Sequence, residues 1–327
     1  MDAVLYGLCL TYGGLMLAFL AGWMRLRSSR SKTRPNAPEI SVSIIIPARN
    51  EARNITNCLE DMLGQDYPDP LLEVMVIDDR STDNTAALVD AFQAEHPTMN
   101  LTLLAADRHT TAAPKKAALQ QGIAKASGTL IVTTDADCRF PPTWVRSLAQ
   151  TVHDHGATVV LGPVLIHGPS LSGALQTLES LSLIAVTAGA AGCGQAVMAN
   201  GANLAYARQA FQEVDGFQGI DHLATGDDVL LLHKFKRHQR QSIRFDTSPG
   251  ALVQTSPAIG WRAFLQQRLR WASKAKAYRD PFTLLTMTVV GAFNLALAIG
   301  SVLALLEPTL VQPLLVSWAV KAVVDLA

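Results

Sequence analysis

Short apolar segments alternate with helical patterns through the middle of the chain. Runs rich in Val, Ile and Leu, each followed by turn residues, predict buried strands at residues 41–46, 72–77, 101–105, 128–134 and 158–166. Pro47 is expected to stop the first strand, and Asn50 or Asn54 can cap the helix after it. Further helices are predicted at residues 55–63, 86–95, 114–126 and 142–154. This alternation predicts an α/β fold with a mostly parallel sheet and helices on both faces.

Long uncharged runs lie near both ends of the chain. Residues 3–24 carry no charge and are long enough to span a bilayer. The basic residues that follow, with no acid among them, are Arg25, Arg27, Arg30, Lys32 and Arg34. A signal peptide would carry its basic cluster in front of the apolar run, so we expect a membrane helix with an external N-terminus and a cytoplasmic main domain.

A second uncharged run covers residues 281–306, and a third apolar stretch covers residues 309–327. The third stretch contains Lys321 and Asp325, and the sequence stops inside it. We therefore expect either a truncated chain or a last helix that is only marginally inserted in the membrane.

Composition narrows the classes of function. The 327 residues are 49% hydrophobic with a formal net charge of zero, and the mean hydropathy is +0.20. A neutral chain has no general attraction to nucleic acid, so no such partner is expected. The four cysteines show no paired spacing, which indicates neither a disulfide framework nor a zinc site. The glycine motifs of dinucleotide-binding Rossmann folds and P-loop NTPases are absent from the sequence.

Acidic residues follow two of the predicted strands. Asp78 and Asp79 follow the second strand, and Asp135 and Asp137 follow the fourth. Open α/β sheets bind their ligands at the carboxyl ends of strands. Two hard oxygen ligands one residue apart suit Mg²⁺ or Mn²⁺, which proteins commonly share with substrate phosphates. An isolated Asp-x-Asp is more often a solvated turn, so the rest of the chain has to decide between these interpretations.

The second half of the chain has a different pattern. Residues 171–197 carry one charge and predict either a pair of core helices or a helix at the membrane surface. A full membrane span is disfavoured, because it would place the sites on either side of it in different compartments. Asp227 and Asp228 open an apolar helical pattern, and N-capping would account for both. Gln267-x-x-Arg270-Trp271 lies on a basic helix before the membrane run, where interfacial anchoring is the alternative role.

Together these motifs resemble the inverting, membrane-bound glycosyltransferases of family two, which include cellulose, hyaluronan and ceramide-glucose synthases. The matching motifs, in order, are Pro47-Ala48-Arg49-Asn50-Glu51, Asp78-Asp79 with Ser81, Asp135-x-Asp137, Asp227-Asp228 and Gln267-x-x-Arg270-Trp271. The family usually has Glu-Asp where this chain has Asp227-Asp228. The resemblance covers residues 41–271 with the flanking membrane helices, and it implies a GT-A-like fold.

The resemblance also implies a role for each matching residue. Asp137, with Asp135, would hold Mg²⁺ or Mn²⁺. Asp228, beside Asp227, would be the general base that takes the proton from the acceptor hydroxyl. Lys116 is as good a candidate as Lys115 for approaching the diphosphate. The residues implied in binding the nucleotide sugar are Pro47, Asn50, Glu51, Asp78, Asp79, Lys115, Asp135, Gln267, Arg270 and Trp271.

The implied activity is metal-dependent transfer of one sugar from a nucleotide sugar, by preference uridine-linked, to a lipid or lipid-linked acceptor. One base, one metal and no enzyme nucleophile predict inversion at the anomeric carbon. Processive polysaccharide synthesis is disfavoured, because a Phe-x-Val-Thr-x-Lys gating segment is absent and few membrane helices follow. A non-catalytic, membrane-anchored nucleotide-sugar-binding scaffold is the third hypothesis, although such a module needs no general base.

These expectations divide the chain into five parts. They are a membrane helix (1–24), a basic juxtamembrane linker (25–40), a nucleotide-sugar-binding half (41–166), an acceptor-binding half with interfacial helices (167–280) and C-terminal membrane helices (281–327). We expect an integral protein of the bacterial plasma membrane with its catalytic domain in the cytoplasm.

Overall fold

A computed structural model describes residues 2–28, 39–107, 112–239 and 242–326, so most of the predicted basic linker, residues 29–38, lies outside it. The helices of the described chain are α1 (Asp2–Ser28), α2 (Ile55–Leu63), α3 (Thr85–Glu95), α4 (Pro114–Lys125), α5 (Trp144–His155), α6 (Leu171–Gly192), α7 (Arg208–Glu213), α8 (Val229–Gln239), α9 (Trp261–Ser273), α10 (Pro281–Leu303) and α11 (Val311–Leu326). The strands are β1 (Val42–Ala48), β2 (Leu72–Asp78), β3 (Leu101–Ala105), β4 (Leu130–Thr133), β5 (Cys138–Arg139), β6 (Val159–Leu161), β7 (Val164–Ile166), β8 (Leu204–Ala207), β9 (Ile243–Phe245) and β10 (Val253–Thr255).

A seven-stranded sheet in the order β3-β2-β1-β4-β8-β6-β9 forms the centre of the fold. Strands β1 to β4 are parallel, β6 pairs in parallel with β9, and β8 runs antiparallel to β4 and β6. A second sheet has the order β5-β10-β7. The predicted α/β fold is confirmed as a mixed sheet flanked by helices. Because β1, β2 and β4 are parallel, their carboxyl ends meet at one edge.

The core lies on both faces of this sheet, and strand periodicity decides which residue faces which side. Ile44 and Ile46 pack in one apolar cluster with residues of α2, α3 and α5. Ile45 packs on the opposite face, in a cluster with residues of α4 and α8. All three side chains are fully buried, so burial of these alternating faces holds the helices against the sheet.

Strand β1 does not stop at Pro47, as expected, but continues to Ala48. Pro47 pairs with Ile77 of β2, whereas the pairing of β1 with β4 ends at Ile45. Proline lacks the N–H that a ladder needs, and here its nitrogen faces the side on which the β4 ladder has already ended. The strand can therefore include Pro47 without losing a hydrogen bond.

The strand predicted at residues 158–166 is in fact two strands, β6 and β7, in different sheets. The break falls at Gly162 and Pro163. The buried amide of Asn203 donates to the carbonyl oxygens of Pro163 at 2.9 Å and Ala251 at 2.8 Å. A Cβ atom on Gly162 would lie 2.2 Å from this amide. The chain passes from one sheet to the other here, since the Gly162 N–H donates to the Asn203 carbonyl at 2.9 Å and the Pro163 carbonyl accepts from the Val253 N–H at 3.1 Å.

The segment 171–197 holds one helix, α6, so the expected helix pair is wrong. Ser170 caps it, accepting a hydrogen bond from the Gly173 N–H at 3.0 Å. Helices α1, α6 and α10 are long and apolar enough to cross a membrane, by length and composition. Helix α6 packs closely against α1, since a Cβ atom on Gly22 would lie 2.1 Å from the Gly189 carbonyl oxygen. This close approach of two glycines is typical of packed membrane helices.

Candidate active site

A cavity of about 420 Å³ opens at the carboxyl edge of the sheet. Helix α6, helix α9 and the turn after α9 close it on the other sides. The structure brings several of the predicted site residues, from distant parts of the sequence, onto its wall. They are Asp135, Asp137, Asp228, Gln267, Arg270 and Trp271. Asp135 and Asp137 reach this edge because they follow the end of strand β4. The residue between, Thr134, attaches this segment to the turn at residues 200–203 through a hydrogen bond from its Oγ1 to the Ala202 carbonyl at 2.7 Å.

The predicted nucleoside residues form a neighbouring surface at the ends of β1 and β2. Asn50 has a positive φ of 58°, a left-handed conformation that Asn tolerates better than most residues. Its backbone N–H donates to Ser81 Oγ at 2.9 Å, and its side-chain oxygen accepts from the Thr82 N–H at 2.8 Å. The Glu51 N–H donates to Thr85 Oγ1 at 2.8 Å. The loops after the two strands are therefore joined by hydrogen bonds.

The two carboxylates at the end of β2 differ in their surroundings. Asp79 is buried and pairs with Arg80 at 2.9 Å and with Arg49 at 3.7 Å. Asp78 accepts a hydrogen bond from the Ser81 N–H at 3.3 Å, and Pro47 beside them is half-buried. The buried carboxylate of Asp79 thus has its charge compensated by the protein, while its neighbours keep a face toward solvent.

Lys115 joins the two halves of the site. Its Nζ lies 2.7 Å from Asp135 Oδ1 and 3.1 Å from Asp227 Oδ2. Burial by itself would lower the pKa of Lys115, but the two carboxylates raise that pKa overall. Burial would likewise raise the pKa of Asp227, and the charges of Lys115 and then Lys274 lower it overall. Both groups are therefore charged at neutral pH.

Asp137 and Asp135 fit a divalent cation as a pair of hard oxygen ligands. Desolvation by the cavity wall, followed by the charge of Asp135, raises the pKa of Asp137. Burial also raises the pKa of Glu51, against the hydrogen bond from Asn54, and Asp137 and Asp135 act in the same direction. A negative region of this kind favours a cation. In the part of the chain that the structure describes, no group of three or more His, Cys, Asp or Glu could hold a metal. The two aspartates would thus need water or substrate phosphate oxygens to complete a shell.

Asp228 sits at the start of α8, where its Oδ1 accepts a hydrogen bond from the Val229 N–H at 2.7 Å. Lys274, which the sequence analysis missed, donates to both carboxylate oxygens of Asp228 at 2.9 Å. Lys274 lines the cavity with Arg270. It follows Arg270 by four residues, a spacing that places both on one helical face, and this spacing could have indicated Lys274 from the sequence. Tyr278 also lines the cavity, where burial and then Asp228 raise its pKa to about 12.

Lys116 points away from the cavity. Its Nζ donates to the carbonyl oxygens of Ile220, Leu223 and Thr225 at 2.8, 2.6 and 2.8 Å. All three donors of the ammonium are therefore in use. Burial lowers the pKa of this lysine. Of the two candidates for the diphosphate, Lys115 is the one that faces the site.

Helix α9 presents Gln267, Arg270 and Trp271 to the cavity. Arg268, a second residue that the sequence analysis did not identify, holds this helix against α6. Its guanidinium pairs with Glu179 and stacks 4.4 Å from the ring centre of Trp271. A planar guanidinium suits this combination of a carboxylate and an aromatic face. Arg268 thus orients Trp271, one of the residues that the resemblance implies in binding the nucleotide sugar.

Apolar side chains also line the cavity. They include Leu183 and Ile184 of α6 and Val164 and Ile166 of β7. Residues 171–197 were expected in the acceptor-binding half, as core or membrane-surface helix, but none of them was predicted as a site residue. Because α6 also packs against α1, the apolar wall is continuous with a helix that is apolar enough to cross a membrane.

This chain is similar in sequence to known glycosyltransferases. Glycosyltransferase AglE of Haloferax volcanii is 29% identical over 188 residues, which cover 58% of this chain and 59% of that protein. A Methanococcus voltae dolichyl N-acetyl-alpha-D-glucosaminyl phosphate 3-beta-D-2,3-diacetamido-2,3-dideoxy-beta-D-glucuronosyltransferase is 33% identical over 91 residues, or 28% of this chain and 27% of that protein. This chain spans less than two thirds of the length of the curated relatives that it matches.

The solved structure of the mannosyltransferase PcManGT from Pyrobaculum calidifontis, in complex with GDP-Man and Mn²⁺, shares the fold. It aligns with a TM-score of 0.57 and 23% identity over 99% of this chain and 98% of that one. The family model for glycosyl transferase family 21 matches residues 10–327. The comparisons confirm a glycosyltransferase, whereas the resemblance to family two and to cellulose and hyaluronan synthases stays a prediction. The chain belongs to glycosyl transferase family 21.

Proposed function

We propose that this protein transfers one sugar, with inversion and with the help of Mg²⁺ or Mn²⁺, from a nucleotide sugar to a lipid or lipid-linked acceptor. The observation that carries the proposal is a single cavity lined by both charged and apolar side chains. Asp135, Asp137, Asp228 and Arg270 line it together with Leu183 and Ile184 of α6. The charged groups suit a diphosphate, and the apolar side chains of a helix that is apolar enough to cross a membrane suit a lipid.

The charged residues that line the cavity can each take one role in the reaction. The acceptor oxygen attacks the anomeric carbon from the face opposite the nucleoside diphosphate, which leaves with the bonding electrons. Asp228 accepts the hydroxyl proton, and Arg270 stabilises the negative charge that grows on the leaving group. A divalent cation held by Asp137 and Asp135 would supply further charge stabilisation on the diphosphate.

Lys274 and the Val229 N–H hold the base in place. Lys274 donates to both oxygens of Asp228, and each carboxylate oxygen has two lone-pair sites, so Oδ2 can take the acceptor's proton while these hydrogen bonds remain. Lys115 would approach the diphosphate from its position between Asp135 and Asp227. Pro47, Asn50, Glu51, Asp78 and Asp79 would hold the nucleoside, and Gln267 and Trp271 would hold the diphosphate and the acceptor.

A lipid acceptor and a divalent cation are also supported by the related proteins. The Methanococcus voltae relative is named for a dolichyl phosphate-linked sugar, and the mannosyltransferase of the same fold carries GDP-Man and Mn²⁺. We propose a uridine-linked donor first, as the resemblance implies, and GDP-mannose second, since the mannosyltransferase of the same fold carries it. The proposal includes the five-part organisation stated above, with the catalytic part on the cytoplasmic face of a bacterial plasma membrane.

Sugar transfer in detergent tests the proposal directly. The full chain would receive labelled UDP-glucose, UDP-galactose, UDP-N-acetylglucosamine or GDP-mannose, together with Mn²⁺ and a membrane lipid extract. We expect label in the organic phase that requires the metal and is reduced in Asp137→Asn at the same Mn²⁺ concentration. Label in a high-mass aqueous polymer would instead indicate a processive synthase. Nucleotide binding without transfer from any donor would indicate a scaffold and contradict the proposal.

A further inference from the structure

The loop that leads into the two acids, residues 215–228, consists of turns between α7 and α8. Two lysines from outside this loop bind its backbone. Lys116 of α4 donates to the carbonyl oxygens of Ile220, Leu223 and Thr225 within 2.8 Å. Lys234 of α8 donates to those of Gly216 and Gln218 at 2.7 and 2.8 Å. The loop thus obtains from two ammonium groups the hydrogen bonds that a helix or strand would otherwise provide.

The two lysines differ in burial and in the part of the loop that they hold. Lys116 is 1% exposed and holds the half next to the acids, whereas Lys234 is half-buried and holds the distant half. A backbone bond from the Ala113 N–H to the Asp221 carbonyl at 2.8 Å adds to the attachment at α4. Lys116 is not one of the described residues that line the cavity. Its contacts are with the loop and not with the space for substrate.

The start of α4 holds the acids in two ways. Lys115 pairs directly with the Asp227 carboxylate at 3.1 Å, and Lys116 holds the backbone of Thr225, three residues before Asp228. We infer that Lys116 is a positioning residue, which fixes the loop relative to α4 and so sets the place of Asp228 beside the bound donor. This inference rests on the proposed role of Asp228 as the general base.

The chemistry of the contact favours lysine over other residues. Three carbonyl oxygens converge on one point, an arrangement that otherwise coordinates a small cation. A tetrahedral ammonium offers three donors to such a point, whereas the planar guanidinium of arginine has a different shape. Removal of the ammonium would take one hydrogen bond from each of the three carbonyl groups, of which Ile220 keeps the bond from the Leu223 N–H at 3.2 Å, and the loop would move. A displacement of ~1 Å in a catalytic group can lower a rate by ~100-fold.

The test compares Lys116→Ala with Lys234→Ala in the full chain in detergent. We expect kcat of Lys116→Ala to fall by ~10- to 100-fold while the donor KM changes less than about twofold, because the loop and not the donor site is disturbed. Lys234→Ala should lower kcat by less than about threefold. If Lys116→Ala aggregates, Lys116→Gln takes its place, since glutamine keeps two donors without the charge.

Two further measurements separate positioning from general damage. Added methylammonium should restore part of kcat in Lys116→Ala but not in Lys234→Ala, with tetramethylammonium, which has no N–H donor, as the ionic-strength control. Amide hydrogen exchange across residues 215–228 should speed up near Thr225 in Lys116→Ala and slow again when methylammonium is added.

The outcomes distinguish this inference from the proposed function. Unchanged exchange in residues 215–228 of Lys116→Ala would overturn the inference, even in an active enzyme. A donor KM that rises in parallel with the loss of kcat would also overturn it, because Lys116 would then act on donor binding. A wild-type chain that is inactive with every donor would count against the proposed function instead, and the exchange measurement would still decide whether Lys116 holds the loop.

Discussion

Replacing Asp228 by Asn tests the proposed base and its lysine partner together. The change keeps the shape of the side chain and one oxygen acceptor but removes the charge. A general base contributes roughly 10²- to 10⁴-fold to a rate, so we expect kcat to fall by that factor. The donor KM should stay nearly constant, because in the proposed function the donor is bound by other residues.

The same change should also lower stability. The side chains of Asp228 and Lys274 are 11% and 14% exposed, so the pair is largely removed from water. Removing one partner of a buried ion pair typically lowers the free energy of unfolding by about 3–5 kcal/mol, because the other charge is left uncompensated. Asparagine can still accept one hydrogen bond from Lys274, and residual exposure screens the charge. We therefore expect a loss of about 2 kcal/mol in the free energy of unfolding, below the range for a full break.

The double variant Asp228→Asn with Lys274→Met separates the two effects. Removing both charges removes the uncompensated ammonium, so the free energy of unfolding should recover by at least about 1 kcal/mol. The rate should stay low, since no base is restored. Denaturant unfolding in detergent and sugar transfer at saturating donor measure the two quantities on the same preparations.

Two results would refute this reasoning. Full transfer activity in Asp228→Asn would show that the carboxylate is not the base. A double variant less stable than Asp228→Asn would show that Lys274 stabilises the fold through contacts other than its pair with Asp228.

Three further perturbations follow from the structure. Asp137→Asn should raise the Mn²⁺ concentration for half-maximal transfer by at least ~10-fold, because one of two carboxylate ligands loses its charge. The free energy of unfolding measured without metal should change little. An unaltered metal requirement would argue against Asp137 as a ligand. Gly22→Ala should destabilise the protein by about 1–3 kcal/mol, because the new methyl would lie 2.1 Å from the Gly189 carbonyl oxygen and force α1 and α6 apart. The control Gly14→Ala, with no atom within 4 Å, should stay within about 0.5 kcal/mol, and equal melting of the two variants would contradict the close packing. Burial lowers the pKa of His233 from 6.5 to about 4, although a nearby carboxylate opposes this shift. Between these values the unfolded chain binds a proton that the folded chain does not, so stability should be complete above about pH 6.5 and fall as the pH drops toward 4. His233→Gln should weaken that dependence in denaturation measured across this range, and an identical pH profile would exclude His233 as its source.

Much of the fold follows from local patterns in the sequence. The helix predicted at residues 55–63 and the strand predicted at 101–105 have those same bounds in the structure, as α2 and β3. Apolar periodicity and turn residues act over a few positions, so they can be recognised without knowing the rest of the fold. The acidic pairs at the ends of β2 and β4 were visible in the sequence, and they share an edge because parallel strands align their carboxyl ends.

Tertiary structure alone decided how distant residues meet. Lys115 and Lys116 are neighbours with the same chemistry, yet one faces two carboxylates and the other faces three carbonyl groups. The pairing of Lys274 with Asp228 joins residues that are 46 positions apart. The break in the strand at Gly162 depends on Asn203, which packs against it from another part of the chain.

The physical reason for this division is the range of the interactions. A strand or helix forms where neighbouring residues share a preference, which the sequence displays directly. The direction of a lysine at the start of a helix depends on the groups that other elements bring to it, and the local sequence does not specify them. For this protein, the sequence by itself determined the α/β elements, the uncharged runs and the acids at the strand ends. The tertiary structure decided which charges pair and that α6 forms the apolar wall of the site.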